Sequence, residues 1–213
     1  MPALGAGGRE FESLIRDQIS RTIMAPQDLK SYVRVYHDFL DPELCTKTIQ
    51  SLNDVEYTKH TFYHSKEDNE MSFDDDLSVT WAQFPEKQTI QNRIWFAIER
   101  YVLKDMAEFK SLFNGWHGYS AVRFNKYDVN TQMHEHVDHI TNLFDGTIRG
   151  IPVLSVVGTL NDDYQGGEFV MWEEDVMELK AGSIMIFPSV FLYPHRVKPV
   201  TQGVRHSYVS WVW

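Results

Sequence analysis

The spacing of apolar residues predicts helices in the N-terminal half of the chain. Apolar positions recur at helical intervals from Phe11 to Ile23 and again from Glu86 to Phe113, which predicts an amphipathic helix in each stretch. An aspartate–proline–glutamate run at 41–43 combines an N-cap, a first-turn proline and an acidic first turn, and predicts a short helix through Leu52.

The pattern changes after Gly115, where short runs of β-branched and aromatic residues alternate with turn residues. The strands predicted in this way are Gly118–Tyr127, Val153–Leu160, Glu168–Trp172, Ser183–Phe187 and Val204–Trp213. Helices followed by at least five strands predict an α+β protein with an antiparallel sandwich or barrel in its C-terminal half.

These patterns also predict the organisation of the chain. Residues 1–9 are small and glycine-rich and are interpreted as a flexible N-terminus. Residues 10–213 form one domain, with helical support over 10–115 and the sheet core over 116–213. The acidic stretch 59–76 is interpreted as an irregular, solvated segment, with a lid over a site as the alternative, and its aspartates at 74–76 as solvated, with a cation site as the alternative.

Composition narrows the class of protein. The chain has 213 residues, 43% of them hydrophobic, which suits one folded domain, and its net charge of −10 argues against a general affinity for nucleic acid or anionic membranes. Cys45 is the single cysteine, which excludes an intramolecular disulfide and a multi-cysteine metal site. No apolar run approaches the ~20 residues needed to span a bilayer, and the first residues show no signal peptide, so the prediction is a cytoplasmic protein.

The densest candidate chemistry is the histidine-rich run 134–139, His-Glu-His-Val-Asp-His. A helical zinc-protease motif would need histidine at position 138, and a cupin-type motif would need a glutamate among residues 140–144, which holds none. His136 and Asp138 fit the third template, the two-histidine, one-carboxylate site of non-haem iron enzymes, because residues i and i+2 of an extended segment face the same side. His134 shares that side and could touch a substrate, with an ordinary polar rim position as the alternative.

Two other residues, which come later in the chain, could complete such a site. His195 lies between a predicted buried strand and a proline-containing turn, and could supply the third ligand. Arg205 lies in the final apolar strand, and Ser207 lies on the same face of that strand. If the guanidinium of Arg205 points inward, it needs an anionic ligand. The alternative is that Arg205 faces solvent and His206 faces inward.

From about Tyr119 to Trp213 the chain resembles the prolyl 4-hydroxylase-like branch of the iron(II)/2-oxoglutarate-dependent dioxygenases. The matching residues stand in the family's order: Tyr127 nine residues before His136, the pair His136 and Asp138, Gly166-Gly167-Glu168, Gly182–Pro188, His195, and Pro199-Val200 through Arg205 to Trp211. The resemblance implies a double-stranded β-helix (jelly-roll) core with N-terminal supporting helices.

The resemblance also implies roles for individual residues. His136, Asp138 and His195 would bind Fe(II) at the catalytic centre. The cosubstrate 2-oxoglutarate would contact four residues of one pocket: Arg205, Ser207, Tyr127 and Ser155. Ascorbate would act as a supporting reductant. Trp211 would line the substrate pocket. Arg123 shares the face of Tyr127 and is a candidate substrate contact, with structural pairing as the equal alternative.

The implied reaction is hydroxylation of a C–H bond, with a prolyl residue in a protein or peptide as the expected substrate, and with release of succinate and CO2. Collagen-type prolyl 4-hydroxylases have lysine at the position of Arg205, which argues against collagen-like substrates. The alternatives are a hydroxylase of a free amino acid or small metabolite, a non-catalytic jelly-roll binding module, and a zinc or nickel cupin-like hydrolase. A nucleic-acid substrate is disfavoured by the negative charge, and the oligomeric state is left open.

Overall fold

The computed structural model describes residues 29–64, 69–113, 118–138 and 152–213. The chain divides into two compact units, Met1–Ser31 and Tyr32–Trp213, and the architecture below is that of the second unit. The predicted terminus at 1–9, the predicted helix from Phe11 and His139 lie outside the described residues.

Two α-helices form where sequence signals indicate helix starts. Helix α1 (Pro42–Leu52) begins at Asp41, whose Oδ1 accepts the backbone N–H of Leu44 at 2.8 Å, which confirms the predicted cap. Helix α2 covers Pro85–Arg100. The chain then continues as a π-helical turn over Tyr101–Asp105 and a 3-10 helix over Ala107–Leu112.

The prediction of one regular helix over 86–113 is therefore wrong in its second half. The amide of Met106 donates to the carbonyl of Tyr101 at 2.8 Å, and the wider turn keeps Tyr101 and Val102 buried. The buried Tyr101 hydroxyl also donates to the carbonyl oxygen of Tyr32 at 2.7 Å, so a tertiary contact accompanies the change of helix type.

The described residues contain fifteen β-strands. They are β1 (Arg34–Tyr36), β2 (Thr58–Lys59), β3 (Phe62–His64), β4 (Asn69–Met71), β5 (Ser78–Thr80), β6 (Arg123–Tyr127), β7 (Met133–His136), β8 (Leu154–Thr159), β9 (Gln165–Gly166), β10 (Phe169–Met171), β11 (Asp175–Met177), β12 (Ile184–Pro188), β13 (His195–Val197), β14 (Val200–Gln202) and β15 (Arg205–Val212). The five strands predicted from the sequence correspond to β6, β8, β10, β12 and β15, so their existence is confirmed.

The strands form two principal antiparallel sheets. The larger has the order β1-β12-β8-β15-β6-β5-β2 and the smaller the order β11-β10-β13-β7. Strands β9 and β14 form a separate pair, as do β3 and β4. The β3–β4 hairpin lies within the stretch 59–76, so the interpretation of that stretch as irregular is wrong there; its acidic composition gave no alternation to mark two strands.

Helices α1 and α2 cover one face of the seven-stranded sheet. The hydrophobic core between them contains Cys45, Leu52, Ile90, Ile94, Ile98, Phe124, Val156, Ile184, Ile186 and Tyr208. Gly158 allows the ring of Tyr208 to lie against β8, because a Cβ atom at this position would be 1.9 Å from Tyr208 Cζ. The mixed helix-and-sheet class predicted from the sequence is thus confirmed, although short strands also precede and separate the helices.

The opposite face of the seven-stranded sheet meets the four-stranded sheet around a cavity. Strands β6 and β15 pair in a register that sets Arg205 opposite Tyr127, and Val209 opposite Arg123. Because side chains alternate along a strand, these residues all line the cavity, whereas Tyr208 packs under the helices. In the part of the chain that is described, no helix is long and apolar enough to cross a membrane.

Candidate active site

Three side chains that could bind a metal ion meet where the smaller sheet lines the cavity. His136 ends β7 and His195 begins β13, and the antiparallel register sets these two residues directly opposite each other, with ring centroids 4.3 Å apart. Asp138 follows β7 by two residues. Its Oδ1 lies 3.6 Å from His136 Nε2 and its Oδ2 lies 3.9 Å from His195 Nε2.

Backbone carbonyl groups set the orientation of both imidazoles. His136 Nδ1 lies 2.8 Å from the carbonyl oxygen of His134, and His195 Nδ1 lies 3.0 Å from that of Tyr193. A carbonyl oxygen can only accept, so each Nδ1 donates a proton and each Nε2 is the ring nitrogen directed toward Asp138. Metal-binding histidines are commonly oriented in this way, so the donor set of two imidazole nitrogens and one carboxylate fits iron(II).

Burial and mutual charge shape the electrostatics of these three residues. Burial, with a further contribution from His136, lowers the pKa of His195 to about 4, which keeps the imidazole neutral. Burial alone would raise the pKa of Asp138, but His195, His136 and a hydrogen bond from Ser155 more than offset it, so that its pKa lies below the ordinary value. A neutral imidazole at His195 and an ionised carboxylate at Asp138 are the protonation states that metal binding requires.

Aromatic rings enclose His195. The ring of Phe169 stacks on the imidazole at a centroid distance of 5.2 Å and an interplanar angle of 15°, and the ring of Phe187 meets it edge-on at 5.1 Å. His195 is 4% exposed. These contacts limit rotation of the imidazole, and neither aromatic residue was singled out from the sequence, where both read as ordinary strand core.

Another part of the same cavity contains a buried arginine side chain. Arg205 is 1% exposed, its Nη1 donates to Ser207 Oγ at 3.0 Å, and its guanidinium lies 4.8 Å from the centroid of the Tyr127 ring. Arg205 Nε has no hydrogen-bond partner among the residues described, and no carboxylate among them forms an ion pair with Arg205. A guanidinium buried in this way calls for an anionic ligand.

The other candidate residues divide between the cavity and its walls. Tyr127 is 2% exposed, and burial raises the pKa of its hydroxyl despite the opposing effect of Arg205 and Arg123. The Nε of Arg123 donates to Asn125 Oδ1 at 3.0 Å, and its guanidinium lies 4.9 Å from the centroid of the Trp211 ring. Arg123 therefore has structural partners and also lines the cavity, as Trp211 does.

Ser155 contacts Asp138, one of the candidate metal ligands. Its hydroxyl donates to Asp138 Oδ2 at 2.5 Å and lies 2.7 Å from the hydroxyl of Ser189. It is not among the cavity-lining residues. No local pattern in the sequence marks Ser189, because its place beside Ser155 depends on the pairing of β12 with β8.

The flanking residues of the histidine-rich run have other partners. His134 Nε2 lies 3.0 Å from Asp75 Oδ1, and Glu135 lies at the surface within 3.5 Å of Arg196. The sequence pattern does not mark His60 as a candidate, yet this residue is buried near the site. Burial and then the charge of Arg123 lower its pKa to about 3, with a smaller contribution from His136.

The C-terminal part of the chain matches a family model. Residues 122–213 match the 2OG-Fe(II) oxygenase superfamily, a range that contains the whole site described above except His60. The expected class of enzyme, a 2-oxoglutarate/Fe(II)-dependent dioxygenase, and its expected cofactors agree with that family description.

Similar sequences are PKHD-type hydroxylases of bacteria. The chain is 36% identical over 107 residues to one from Xylella fastidiosa (strain M12), which covers 42% of this chain and 43% of the relative. It is 32% identical over 125 residues to one from Rippkaea orientalis, which covers 57% of this chain and 53% of the relative. The chain therefore spans about half the length of the relatives it matches.

Solved structures with a similar fold include prolyl hydroxylases. The viral collagen prolyl hydroxylase of Paramecium bursaria Chlorella virus-1 gives a TM-score of 0.60 at 15% identity, covering 85% of this chain and 94% of that one. A Trichoplax adhaerens prolyl hydroxylase in complex with a hypoxia-inducible-factor peptide fragment gives 0.61 at 15% identity, covering 94% and 92%. Together with the family match, these comparisons confirm the predicted resemblance to prolyl 4-hydroxylase-like 2-oxoglutarate/Fe(II) oxygenases.

Proposed function

We propose that the chain is an Fe(II)- and 2-oxoglutarate-dependent dioxygenase that hydroxylates a C–H bond, and that its two principal sheets form a double-stranded β-helix. The domain would extend over residues 10–213, with the helices supporting the larger sheet. One observation carries the proposal: a two-histidine, one-carboxylate cluster and a buried arginine without a carboxylate partner line the same cavity between the sheets.

His136, Asp138 and His195 are the proposed Fe(II) ligands. When bound, the metal and its cosubstrate would supply dioxygen activation, with one oxygen atom entering the product and the other the succinate that forms with CO2 from 2-oxoglutarate. The protein holds both imidazoles through backbone carbonyl groups and the carboxylate through Ser155, so that all three donors are oriented before a metal arrives.

Arg205 is the proposed partner of the distal carboxylate of 2-oxoglutarate. The guanidinium is already fixed by Ser207 and by the ring of Tyr127, and its buried charge would be neutralised by a ligand carboxylate through charge-assisted hydrogen bonds. Tyr127, whose hydroxyl remains protonated because burial raises its pKa, would donate a further hydrogen bond to the cosubstrate.

The proposed substrate is a prolyl residue of a protein or peptide. Support comes from the kind of enzyme that similar structures represent, since two of them are prolyl hydroxylases of quite different sources. Trp211, partly exposed with Arg123 above its ring, offers an apolar surface on the cavity wall against which a pyrrolidine ring could pack.

A second candidate substrate is a free amino acid or another small carboxylate. Arg123 favours it, because a second guanidinium that is 8% exposed lines the same cavity as Arg205. A free carboxylate would pair with Arg123 through charge-assisted hydrogen bonds, whereas a peptide bond would offer it only a neutral carbonyl oxygen.

Anaerobic spectroscopy tests the proposed chemistry without a known substrate. Fe(II) and then 2-oxoglutarate are added to the metal-free protein, and the weak visible charge-transfer band of the chelated complex is recorded. The band is expected for the wild type and for Asp54→Ala, a surface control, and is expected to disappear in Asp138→Ala. A folded wild-type protein that binds Fe(II) without developing the band would contradict the proposal and favour a binding module or a different metal enzyme.

Substrate class is then tested by turnover. Proline-containing peptides and free proline are compared for succinate formation and for a mass gain of one oxygen atom in the product. Product from peptides alone supports the prolyl-residue proposal. Product from the free amino acid alone, lost in Arg123→Gln, supports the second candidate.

A further inference from the structure

A second cluster of metal-ligating side chains lies outside the proposed active site. It consists of Asp75, Asp76 and His134, whose nearest ligand atoms all lie within 4.8 Å of one another. The two aspartates belong to the turn that precedes β5, and His134 lies in β7. The proposed function uses none of the three.

The ligand atoms of this cluster lie close to the spacing of a metal site. His134 Nε2 lies 3.0 Å from Asp75 Oδ1 and 3.9 Å from Asp76 Oδ1. Two ligand atoms that are each about 2.1 Å from one zinc ion lie roughly 3.0–3.4 Å apart. Asp75 and His134 already meet that spacing, the distance from His134 to Asp76 exceeds it by about half an ångström, and the two carboxylate oxygens lie within 4.8 Å of each other.

The second oxygen of each carboxylate is held by a protein donor. Gln132 Nε2 donates to Asp75 Oδ2, and the backbone N–H of Phe73 donates to Asp76 Oδ2 at 2.5 Å. Each aspartate thus uses Oδ2 for a protein donor and turns Oδ1 toward His134. Hydrogen bonds from outer residues that orient the ligating atoms are typical of metal sites.

Asp76 provides an independent indication that a ligand is missing. The residue is 3% exposed, and its Oδ1 is buried without a hydrogen-bond partner among the described residues. This oxygen is the one that faces His134 Nε2. A buried carboxylate oxygen without a donor is unfavourable, and a bound cation would satisfy it directly.

Backbone hydrogen bonds hold the 73–76 turn beside β7, independently of the side chains of the cluster. The N–H of Gln132 donates to the carbonyl of Asp75 at 2.8 Å, and the N–H of Leu77 donates to the carbonyl of Gln132 at 3.3 Å. The ring of Phe73 also lies 4.5 Å from the imidazole of His134. The ligands are therefore held near their binding positions before a metal arrives, which lowers the entropic cost of binding.

We propose that Asp75, Asp76 and His134 bind a divalent transition metal, with zinc as the best-fitting ion. Imidazole with two carboxylates is a donor set that zinc accepts, and calcium or magnesium would favour an all-oxygen site. The side chains of His134 and Asp75 are 35% and 40% exposed, so water can complete the tetrahedron. The ion would tie the 73–76 turn to β7, two residues before His136.

Zinc titration of a variant that lacks the proposed iron site tests this proposal. In His136→Ala/His195→Ala, zinc binding is measured by competition with a chromophoric zinc chelator. We expect about one zinc ion per chain in this background. Adding His134→Gln or Asp76→Asn is expected to weaken that binding at least about tenfold, whereas Asp74→Asn, an exposed neighbour in the same acidic run, should leave it unchanged.

Two results would overturn the proposal: no zinc bound by the folded double variant, or unchanged affinity after His134→Gln. The partly exposed His134 is chosen because its replacement leaves the buried Asp76 in place, and circular dichroism verifies folding of each variant. Cobalt(II) gives a second readout, since a site with one imidazole and two carboxylates produces visible d–d absorption that must disappear with His134→Gln. The double variant lacks the iron ligands, so failure here leaves the proposed dioxygenase function untouched.

Discussion

The hydroxyl of Ser155 donates a 2.5 Å hydrogen bond to Oδ2 of Asp138, deep in the wall of the cavity. Ser155 is 1% exposed, and its oxygen also lies 2.7 Å from the hydroxyl of Ser189. The sequence resemblance assigns Ser155 to the cosubstrate pocket, whereas in the structure its hydroxyl contacts a candidate metal ligand. It holds the carboxylate that faces His136 and His195.

Ser155→Ala is therefore expected to weaken Fe(II) binding about 10- to 100-fold, the usual effect of removing a partner of a metal ligand. The apparent requirement for 2-oxoglutarate at saturating Fe(II) should hardly change. Fe(II) affinity and the 2-oxoglutarate dependence of turnover are measured separately. Ser210→Ala, a buried serine of β15 that contacts Ser120, is the matched control. A raised 2-oxoglutarate requirement with normal Fe(II) affinity would restore the cosubstrate role.

Replacing the buried arginine tests the anion-binding end of the cavity. Arg205→Ala removes a charge-assisted contact worth about 1.5–3 kcal/mol, so the apparent KM for 2-oxoglutarate should rise roughly 10- to 100-fold. Arg205→Lys keeps the charge without the two-pronged geometry and should give an intermediate rise. Initial rates against 2-oxoglutarate concentration measure both, with Arg196→Ala on β13, whose side chain is 24% exposed, as the control. An unchanged KM in Arg205→Ala would remove Arg205 from cosubstrate binding.

The sequence predicts those parts of the fold that depend on interactions between residues close together in the chain. The start of α1 was predictable because Asp41 satisfies a backbone N–H three residues away. The alternation along β15 was equally local, although both Arg205 and His206 proved to be buried, since the strand is covered on both faces. The end of α2 was not predictable, because the π turn at Tyr101 accompanies a hydrogen bond to Tyr32, far away in sequence.

In the candidate site, too, only the contacts between residues close together in the chain could be predicted from the sequence. The pair His136 and Asp138 could be recognised from a spacing of two residues in an extended segment. The contact of Ser155 with Ser189 depends on β12 lying beside β8, and the contact of His134 with Asp75 depends on the 73–76 turn lying beside β7. Strand order is a property of the whole fold, so neither contact could be derived from the local pattern.

The close approach of Tyr208 to β8 predicts a severe effect of a single methyl group. In Gly158→Ala the new Cβ would be 1.9 Å from Tyr208 Cζ and 2.3 Å from its hydroxyl oxygen. The ring is fully buried under the helices, so the clash should lower the free energy of unfolding by about 3 kcal/mol. Urea denaturation measures the loss. Adding Tyr208→Leu, which removes the clashing atoms, should recover part of it, and equal stability of Gly158→Ala and wild type would contradict the packing described.

His206 should make the metal-free protein less stable in mild acid. Burial lowers the pKa of its imidazole to about 4, and Lys126 and Arg205 lower it further while Asp128 and Asp163 oppose them. The unfolded chain, with an ordinary pKa near 6.5, takes up the proton first as the pH falls, so the stabilisation is present above pH 6.5 and is lost progressively between about 6.5 and 4. Between pH 7 and pH 5 this one residue should account for a loss of about 2 kcal/mol.

Urea unfolding of the metal-free wild type and of His206→Gln at pH 7 and pH 5 isolates that contribution. Glutamine carries no titrating group, so the variant should lose less stability over this interval by about 2 kcal/mol, whatever its stability at pH 7. His60 and His195 also have lowered pKa values and keep contributing to the slope of both proteins, so the difference between the two slopes belongs to His206. Parallel pH dependences would mean that water reaches the imidazole and that His206 is not held neutral by burial.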